Sequence, residues 1–394
     1  MRSADFVVVG GGVTGACAAY HLAVRGADVL LVERQEIAPD VPSSSSGEHA
    51  KAFRTVYGRD RAMTRLCVES FEHWRRFEAE AGTELFVPSG MLVFGADEER
   101  TLARWPRPHH ARFAIDSAAV LSEEGLCHDL LGKDALLERF PQLAGNDSYD
   151  HAILDRTAGF FHARKAVRAI AELARRAGAE LWEHAPVEEV VASGDRVERL
   201  VTSRGDVAPR RAVVFAAGYM NPALVPSLRP KTRVTEQQVL FIRPEAPAAY
   251  APAEFPIVVD INRWRYVFPV HGPGVMKVCD DDNALAEKAV DPRQPPSAVS
   301  DAFRKDASAF LEAFVPGLVG SEEIGSTTCR YTNTVREGYL VYRQGNAVVL
   351  SACSGHGFKN APMTALMAAT LADERSAPPS LLATDQGLEQ ADDF

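Results

Sequence analysis

The sequence predicts a mixed α/β fold in which one domain is built on a parallel sheet and a second on an antiparallel sheet. Continuous apolar runs at 6–9 and 29–32 flank a helix of small residues, which is typical of buried parallel strands in a β-α-β unit. Residues 233–282 instead combine β-branched and aromatic residues with Pro and Gly turns, which indicates an antiparallel sheet. Because 394 residues exceed what one hydrophobic core usually holds, we expect two joined domains.

Turn residues and apolar spacing place the other elements along the chain. Helices are predicted at 16–25 with Gly26 as C-cap, at 59–82, 163–177 and 298–314, and from about Pro362 to residue 373 with Pro362 in the first turn. Strands are predicted at 88–95, around Val187, Val197 and Val213, and at 347–351. Residues 39–47 are predicted to form a loop, 105–110 are irregular, and the last twenty residues are polar and loose.

Composition narrows the class of protein. The net charge of −10 argues against a nucleic-acid partner, because phosphate binding needs a basic face. No run of about 18 apolar residues occurs, so no membrane span is expected, and the first apolar stretch leads into a glycine motif rather than a signal-peptide cleavage site. Six cysteines without a C-x-x-C pair signal neither a metal site nor a redox disulfide. We therefore expect a protein of the reducing cytoplasm, and we expect it to be a monomer.

Residues 10–15 (GGGVTG) match the G-x-G-x-x-G turn of a Rossmann-like dinucleotide-binding domain. Gly10 permits the tight turn, Gly12 lets the backbone approach a pyrophosphate, and Gly15 lets helix and strand pack closely. The helix that follows offers free N–H groups to the phosphates. Glu33 lies 18 residues after Gly15, at the end of the second strand, where an acid binds ribose hydroxyls. We include the neighbouring Arg34 among the cofactor-binding residues.

The glycine motif alone does not distinguish FAD from NAD. Residues 213–218 (VVFAAG) end a three-strand meander that begins near Val187, and they combine an apolar run with a small-small-Gly turn. This stretch resembles the second flavin-contacting signature of flavoproteins with two dinucleotide-binding domains. We therefore predict FAD as the cofactor, with Val187, Ala217 and Gly218 among the residues that contact it.

Two segments near the C-terminus are more specific. Residues 329–334 (CRYTNT) and 354–359 (SGHGFK) begin 25 residues apart. Together with the N-terminal turn they resemble the sarcosine oxidase branch of the D-amino acid oxidase-like flavoproteins. That branch includes monomeric sarcosine oxidase, N-methyltryptophan oxidase and the imino-acid oxidase of nikkomycin biosynthesis. The resemblance runs from Gly10 to the last helix.

The resemblance implies how FAD would be held at this end of the chain. Cys329 would carry it through a thioether, and a thiolate is a nucleophile suited to that attachment. Gly355, Gly357 and Phe358 would lie beside the flavin where a helix begins, so that the helix N-terminus stabilises negative charge on the ring. Lys359, in the same turn, is assigned both to this group and to the substrate site.

The resemblance also implies the residues of the reaction. Lys359 and Arg54 would bind the substrate carboxylate, a task that suits a guanidinium fork. Lys277 would lie where a fixed cation activates dioxygen by stabilising the charge that develops on it. Tyr331 would line the substrate pocket.

Two positions depart from the relatives. Lys51 falls where sarcosine oxidase has arginine, and Asp281 falls where it has histidine. A carboxylate at Asp281 could favour a second cationic group on the substrate, or it could supply a base. Sarcosine itself is therefore not the predicted substrate.

The predicted reaction is oxidation of the C–N bond of an amino or imino acid, a secondary or cyclic amine, to an imine, with dioxygen as acceptor and hydrogen peroxide as product. Alternatives are an FAD-dependent dehydrogenase that passes electrons to another acceptor, a primary amino-acid oxidase, and a non-catalytic FAD-binding module. A flavin monooxygenase is disfavoured because the sequence shows no second nucleotide motif for NAD(P)H. We assign 1–85, 150–225 and 325–385 to a discontinuous FAD-binding domain, and 86–149 and 226–324 to a substrate domain.

Overall fold

The computed structural model describes residues 1–39, 50–96, 112–261, 264–281, 289–334, 338–351 and 354–373. Its helices are α1 Val13–Ala23, α2 Arg61–Ala81, α3 Phe113–Glu123, α4 Lys133–Arg139, α5 Ala163–Arg176, α6 Asn221–Leu224, α7 Asp301–Phe314 and α8 Gly357–Ala372. Its strands are β1 Arg2–Val9, β2 Val29–Val32, β3 Ala50–Phe53, β4 Phe86–Pro88, β5 Met91–Gly95, β6 His128–Gly132, β7 His151–Asp155, β8 Gly159–His162, β9 Glu180–Trp182, β10 Val187–Ser193, β11 Arg196–Thr202, β12 Val207–Phe215, β13 Arg233–Arg243, β14 Ile257–Asp260, β15 Arg265–Val267, β16 Met276–Asp280, β17 Glu322–Asn333, β18 Leu340–Gln344 and β19 Ala347–Ser351.

The first sheet contains the predicted parallel strands. Its order is β10-β11-β12-β1-β2-β9, and β19 also pairs with β12 while β18 pairs with β19. Strand β1 is parallel to β2 and β12, and β12 is parallel to β19. Helices α1, α5 and α8 share a core with these strands, because their small and aliphatic residues pack closely on the continuous apolar runs. This layer of helices on a parallel sheet confirms the predicted α/β class.

The second sheet confirms the antiparallel pattern predicted for 233–282. Its order is β17-β13-β16-β15-β14-β5-β7-β6, and β14 with β5 is its parallel pair. Strand β17 pairs with β13 along its whole length, and β7 pairs with β5 and β6. Both strands thus join this sheet although most of β17 and all of β7 lie in segments assigned to the FAD-binding domain. The domain boundaries stay a prediction.

Two helices show how far local signals define helix ends. Helix α2 begins after Asp60, whose side chain accepts a hydrogen bond from the Met63 N–H at 2.9 Å, and it ends at Gly82 in the left-handed region with φ 63°. These bounds lie close to the prediction. Helix α1 begins at Val13, three residues before its predicted start, because the extended Gly12 acts as its N-cap.

The position predicted for Pro362 is wrong. Helix α8 begins at Gly357, so Pro362 lies inside it rather than in its first turn. A proline there removes one intrahelical hydrogen bond. Tertiary contacts offset that loss, because the Phe358 ring stacks on Trp74 at 5.4 Å and the Trp74 indole N–H donates to the Lys359 carbonyl at 2.9 Å.

The remaining strands form a small sheet in the order β3-β8-β4. None of the helices in the described ranges is long and apolar enough to cross a membrane. The predicted irregular stretch at 105–110, the tail after 373 and all of the predicted loop except Pro39 lie outside the described residues.

Candidate active site

The glycine turn between β1 and α1 leaves no room for side chains. Gly10 has φ 106°, and a Cβ on it would lie 2.6 Å from the Ala216 carbonyl oxygen of the neighbouring chain segment. A Cβ on Gly15 would overlap the carbonyl oxygen of Gly10. The predicted tight turn and close helix–strand packing are therefore both present.

Glu33 is joined directly to this turn. Its Oε2 accepts a hydrogen bond from the Gly11 N–H at 2.6 Å, and its Oε1 accepts one from the Gln35 N–H at 3.0 Å. The carboxylate thus lies over the glycine turn at the end of β2. An acid in this place can bind ribose hydroxyls beside the phosphates.

Most of the cofactor-binding residues predicted between Gly10 and Gly218 line one cleft, which is called here the nucleotide cleft. Its empty space, including the solvent at its open side, is about 1190 Å³. Its lining includes Gly10, Gly12, Glu33, Arg34, Val187, Ala217 and Gly218. Gly15 lies behind the turn instead and serves the packing of α1 on β1. Residues that are more than 200 positions apart in sequence therefore meet around a single elongated space.

A second cleft, called here the inner cleft, adjoins the first. Thr14, Gly218 and Tyr219 line both spaces. The inner cleft brings together residues that were predicted from separate motifs, namely Lys51, Arg54, Lys277, Asp281, Tyr331, Gly355, Gly357, Phe358 and Lys359. Its walls also include apolar and aromatic side chains of the second sheet, Met91, Val93, Val259, Trp264, Tyr266 and Phe268.

Lys277 is 2% exposed on β16. Its Nζ donates a hydrogen bond to the Ala50 carbonyl at 3.2 Å and lies 5.0 Å from the centre of the Phe268 ring. Burying an ammonium group is unfavourable unless hydrogen bonds and charges compensate for the lost water. A lysine held in this way at a cleft is a candidate for a functional role.

Cys329 lies on β17, on the strand that also carries Tyr331. Its Sγ accepts a hydrogen bond from Lys51 Nζ at 3.6 Å, which joins two residues 278 positions apart. Cys329 is itself 6% exposed. An ammonium group beside a cysteine favours the anionic, nucleophilic form of the sulfur.

The segment that carries Arg54 is fixed by a buried carboxylate. Asp155 Oδ2 accepts hydrogen bonds from the backbone N–H and the hydroxyl of Thr55, at 2.6 and 2.8 Å. Its Oδ1 accepts two more from Thr157, at 3.0 and 2.6 Å. Asp155 was not singled out from the sequence, because only the fold brings β7 against the end of β3.

Arg54 and Lys359 approach the same aromatic ring. The Arg54 guanidinium lies 4.3 Å from the centre of the Tyr57 ring, and Lys359 Nζ lies 6.0 Å from it. Arg54 also donates to the Val56 carbonyl at 2.8 Å, and Lys359 is 4% exposed. Two cations therefore lie on one side of the inner cleft.

Two neighbours of these cations, Tyr57 and His356, are electrically neutral. Tyr57 Oη and His356 Nδ1 lie 3.3 Å apart. Burial raises the pKa of Tyr57 well above its usual value. Burial, together with the charges of Lys359 and Arg54, holds the pKa of His356 well below its usual value. At neutral pH both side chains are uncharged, so neither of them offsets the positive charge of Arg54 and Lys359.

Two lining residues, His356 and Tyr219, and their neighbour Tyr57 were missed at the level of sequence. Tyr57 follows Arg54 by three residues and His356 lies inside the segment SGHGFK, but nothing in their spacing indicated that they meet. Tyr219 follows Gly218 directly, and its hydroxyl accepts a hydrogen bond from Arg34 at 2.6 Å. The Arg330 guanidinium lies 5.3 Å from the same ring. For Tyr219, the signal available in the sequence was its position directly after the small-small-Gly turn of residues 216–218.

The two adjoining clefts fit FAD. A dinucleotide with a ring system at one end needs a phosphate cradle that continues into a second, partly apolar space. Here the glycine turn forms the cradle, and a Cβ at Gly10 or Gly15 would disrupt this turn by overlapping backbone atoms. Gly218 and Tyr219 connect the cradle to the inner cleft. The fold and this pair of clefts define a flavoprotein oxidoreductase.

The family follows from comparison with known proteins. The profile of the FAD dependent oxidoreductase family matches residues 5–371, and the chain belongs to this family. Monomeric sarcosine oxidase of Bacillus sp. (strain B-0618) is 28% identical over 372 residues, which cover 90% of this chain and 88% of the relative. Peroxisomal sarcosine oxidase of Mus musculus is 29% identical over 374 residues, which cover 91% and 89%. The resemblance predicted from the motifs is confirmed.

Solved structures share the fold at lower identity. The crystal structure of L-proline dehydrogenase from P. horikoshii superimposes with a TM-score of 0.79 at 20% identity, and the match covers 95% of each chain. At this identity the likeness concerns the fold alone. The chemistry has to be argued from the clefts.

Proposed function

We propose that the protein is an FAD-dependent oxidase that oxidises the C–N bond of an amino or imino acid, a secondary or cyclic amine, to an imine, with dioxygen as acceptor and hydrogen peroxide as product. The observation that carries the proposal is the inner cleft, where Arg54 and Lys359 share one side and the buried Lys277 also lies in the lining. The curated relatives described above are sarcosine oxidases. Sarcosine is itself a secondary amino acid.

In this proposal Arg54 and Lys359 bind the substrate carboxylate. Both cations are held against the Tyr57 ring, and the neutral Tyr57 and His356 do not offset their charge. Asp155 acts as a positioning residue, because its hydrogen bonds to Thr55 fix the chain next to Arg54. Orienting the substrate before reaction lowers the entropic part of the barrier.

When bound, FAD would accept a hydride equivalent from the carbon next to the amine nitrogen. The chain supplies orientation and electrostatics. Gly355, Gly357 and Phe358 lie at the N-terminus of α8, a helix of 16 residues whose dipole favours negative charge in the cleft. The apolar walls of the inner cleft reduce the access of water to the reacting atoms.

Cys329 is the proposed site of covalent attachment through a thioether. The contact between its Sγ and Lys51 Nζ supports this assignment, because the lysine favours a nucleophilic sulfur. The role proposed for Lys277 is to stabilise the charge that develops on dioxygen, and its burial strengthens such an electrostatic effect.

A dehydrogenase with another electron acceptor is the second candidate, because a structure with this fold is an L-proline dehydrogenase. Lys277 favours the oxidase, since a buried cation in the inner cleft has a direct use in oxygen chemistry. A primary amino-acid oxidase differs only in the substrate. The monomeric state and the cytoplasmic location remain predictions.

The reaction can be tested by mixing the purified flavoprotein without oxygen with a panel of secondary amino acids, cyclic imino acids and primary amino acids. We expect a secondary or cyclic amine to bleach the flavin fastest. Admitting air should restore the colour and release one equivalent of hydrogen peroxide. Bleaching that air does not reverse would indicate the dehydrogenase, and a flavin that no amine bleaches would indicate a binding module.

The attachment can be tested with Cys329→Ala. We expect the wild-type protein to stay yellow after acid precipitation, and the variant to release its flavin into the supernatant. Cys127→Ala is the matched control, since Cys127 is exposed and should leave attachment unchanged. A wild-type flavin that already separates in acid would show that the attachment is not covalent.

Arg54→Ala should weaken substrate binding or turnover by roughly ten- to a hundredfold, because one charge-assisted hydrogen bond contributes about 1.5–3 kcal/mol. Steady-state kinetics with a carboxylate substrate measure the effect. Arg59→Ala is the control, as Arg59 lies on the same segment but is exposed and paired with Asp116. Full activity of the Arg54 variant would remove this residue from the substrate site.

Lys277→Met keeps most of the side-chain length and removes the charge. Reduction of the flavin by substrate, followed anaerobically, should change little. Reoxidation after mixing with oxygenated buffer in a stopped-flow instrument should slow by roughly 10²–10³-fold, which corresponds to about 3–4 kcal/mol. Lys305→Met, at an exposed position of α7, should behave as wild type. Impaired reduction with normal reoxidation would instead place Lys277 on the substrate side.

A further inference from the structure

Asp281 brings a negative charge into a cleft that is otherwise basic. Among the lining residues that the structure describes, the charged side chains are Asp281 and four cations, Lys51, Arg54, Lys277 and Lys359. Each cation already has a proposed role toward the cofactor, the substrate carboxylate or dioxygen. Among the described residues of this lining, Asp281 is therefore the acidic side chain that a bound ligand can contact.

The backbone places the Asp281 carboxylate beside the turn that opens α8. A Cβ built on Gly355 would lie 3.0 Å from Asp281 Oδ1 and 3.1 Å from the edge of the Tyr331 ring. The carboxylate and the phenol ring therefore flank the same point of this turn. The Asp281 N–H donates to the Trp264 carbonyl at 2.9 Å, which fixes the start of the segment after β16.

Aromatic residues surround the same part of the cleft. Trp264, Tyr266, Phe268 and Tyr331 all belong to its lining. Trp264 has φ 51°, in the left-handed region that a tryptophan rarely adopts. Such a conformation costs free energy and is found where it serves a site. A carboxylate with aromatic rings around it is a setting that attracts organic cations, through ion pairing and through the ring faces.

We infer that this part of the inner cleft is a subsite for a second cationic group on the substrate, so that the substrate class is an amino or imino acid that carries an additional amine or guanidinium. This inference rests on the proposed function, because it assumes that Arg54 and Lys359 bind the carboxylate. A ligand anchored there extends its cation toward Asp281, Tyr331 and Trp264.

The physical reason concerns desolvation. A neutral side chain that filled this part of the cleft would offer no charge to the Asp281 carboxylate. A cationic side chain would form an ion pair with it, which compensates for the hydration that the cation loses on entering the cleft.

The first test measures binding without turnover. The holoenzyme is titrated anaerobically with ω-amino carboxylates from 4-aminobutanoate to 6-aminohexanoate and with the n-alkanoates of equal length, and Kd is read from the perturbed flavin spectrum. At one chain length or more, we expect the ω-amino carboxylate to bind at least tenfold more tightly than the alkanoate of the same length. Without a cation subsite the alkanoate would bind more tightly at every length, because the ammonium would lose hydration without an ion pair to replace it.

Variants assign the effect to the carboxylate. Asp281→Asn should abolish the preference for the ω-amino compound, and Asp281→Glu, which keeps the charge, should retain part of it. Asp147→Asn is the control for loss of one acidic charge, because Asp147 is fully exposed and does not belong to the cleft lining. A preference that persists unchanged in Asp281→Asn would overturn the inference.

A kinetic comparison separates this inference from the proposed reaction. Nα-methyl-L-lysine and its Nε-acetyl derivative differ in one charge, and the first should have a kcat/KM at least tenfold higher, with Asp281→Asn removing the difference. If the two lysine derivatives have equal kcat/KM values and each ω-amino carboxylate has the same Kd as its alkanoate, the subsite is refuted and the proposed oxidase reaction is unaffected. If neither substrate reduces the flavin, the proposed reaction is refuted. The subsite is still supported if the wild type binds the ω-amino compound more tightly and Asp281→Asn loses this preference. If Asp281→Asn slows both substrates alike and the Kd ratio stays unchanged, Asp281 is a base and the subsite is refuted.

Discussion

Close approach of three backbone segments at Gly10 and Gly15 is the constraint on which the rest of the structure depends. Strand β1 can turn directly into α1 only because neither glycine carries a Cβ, and the space that a Cβ at Gly10 would need is taken by the Ala216 carbonyl of β12's C-terminal end. This contact brings the small-small-Gly turn of 216–218 next to the glycine turn. The nucleotide cleft and its junction with the inner cleft both follow from it.

The inner cleft concentrates positive charge in a partly apolar setting, and the fold compensates for that in several ways. Lys277 donates to a backbone carbonyl and lies near the Phe268 ring, while Arg54 and Lys359 lie near the Tyr57 ring. Contacts of this kind lower the free energy of a buried cation without neutralising it. The cations thus remain able to attract a carboxylate, an electron-rich flavin or reduced oxygen. Asp281 adds the one negative group of the described lining. The cleft therefore has a cationic part and an anionic part, and a substrate with both charges can orient between them.

The architecture by itself does not define the chemistry. A dehydrogenase for L-proline shares this fold at a TM-score of 0.79, and sarcosine oxidases share both the family and more of the sequence. What distinguishes such enzymes has to lie in a few side chains placed on common strands. In this chain those side chains come from β3, β16, β17 and the start of α8, which are separated by up to about 300 residues and meet only around the inner cleft.

The amino-acid sequence by itself determined the α/β class, the cofactor and the family, because these depend on local patterns: the G-x-G-x-x-G turn between apolar runs and the two C-terminal motifs. It also indicated Arg54, Lys277 and Lys359 by resemblance. Tertiary structure alone decided which residues meet. The contacts of Lys51 with Cys329 and of Asp155 with Thr55 join distant segments, and Asp281 lies where a Cβ on Gly355 would approach it. Pro362 lies inside α8 because packing on Trp74 outweighs a local helix signal. Local patterns report backbone preference, whereas contacts between distant side chains depend on how the sheets and helices pack.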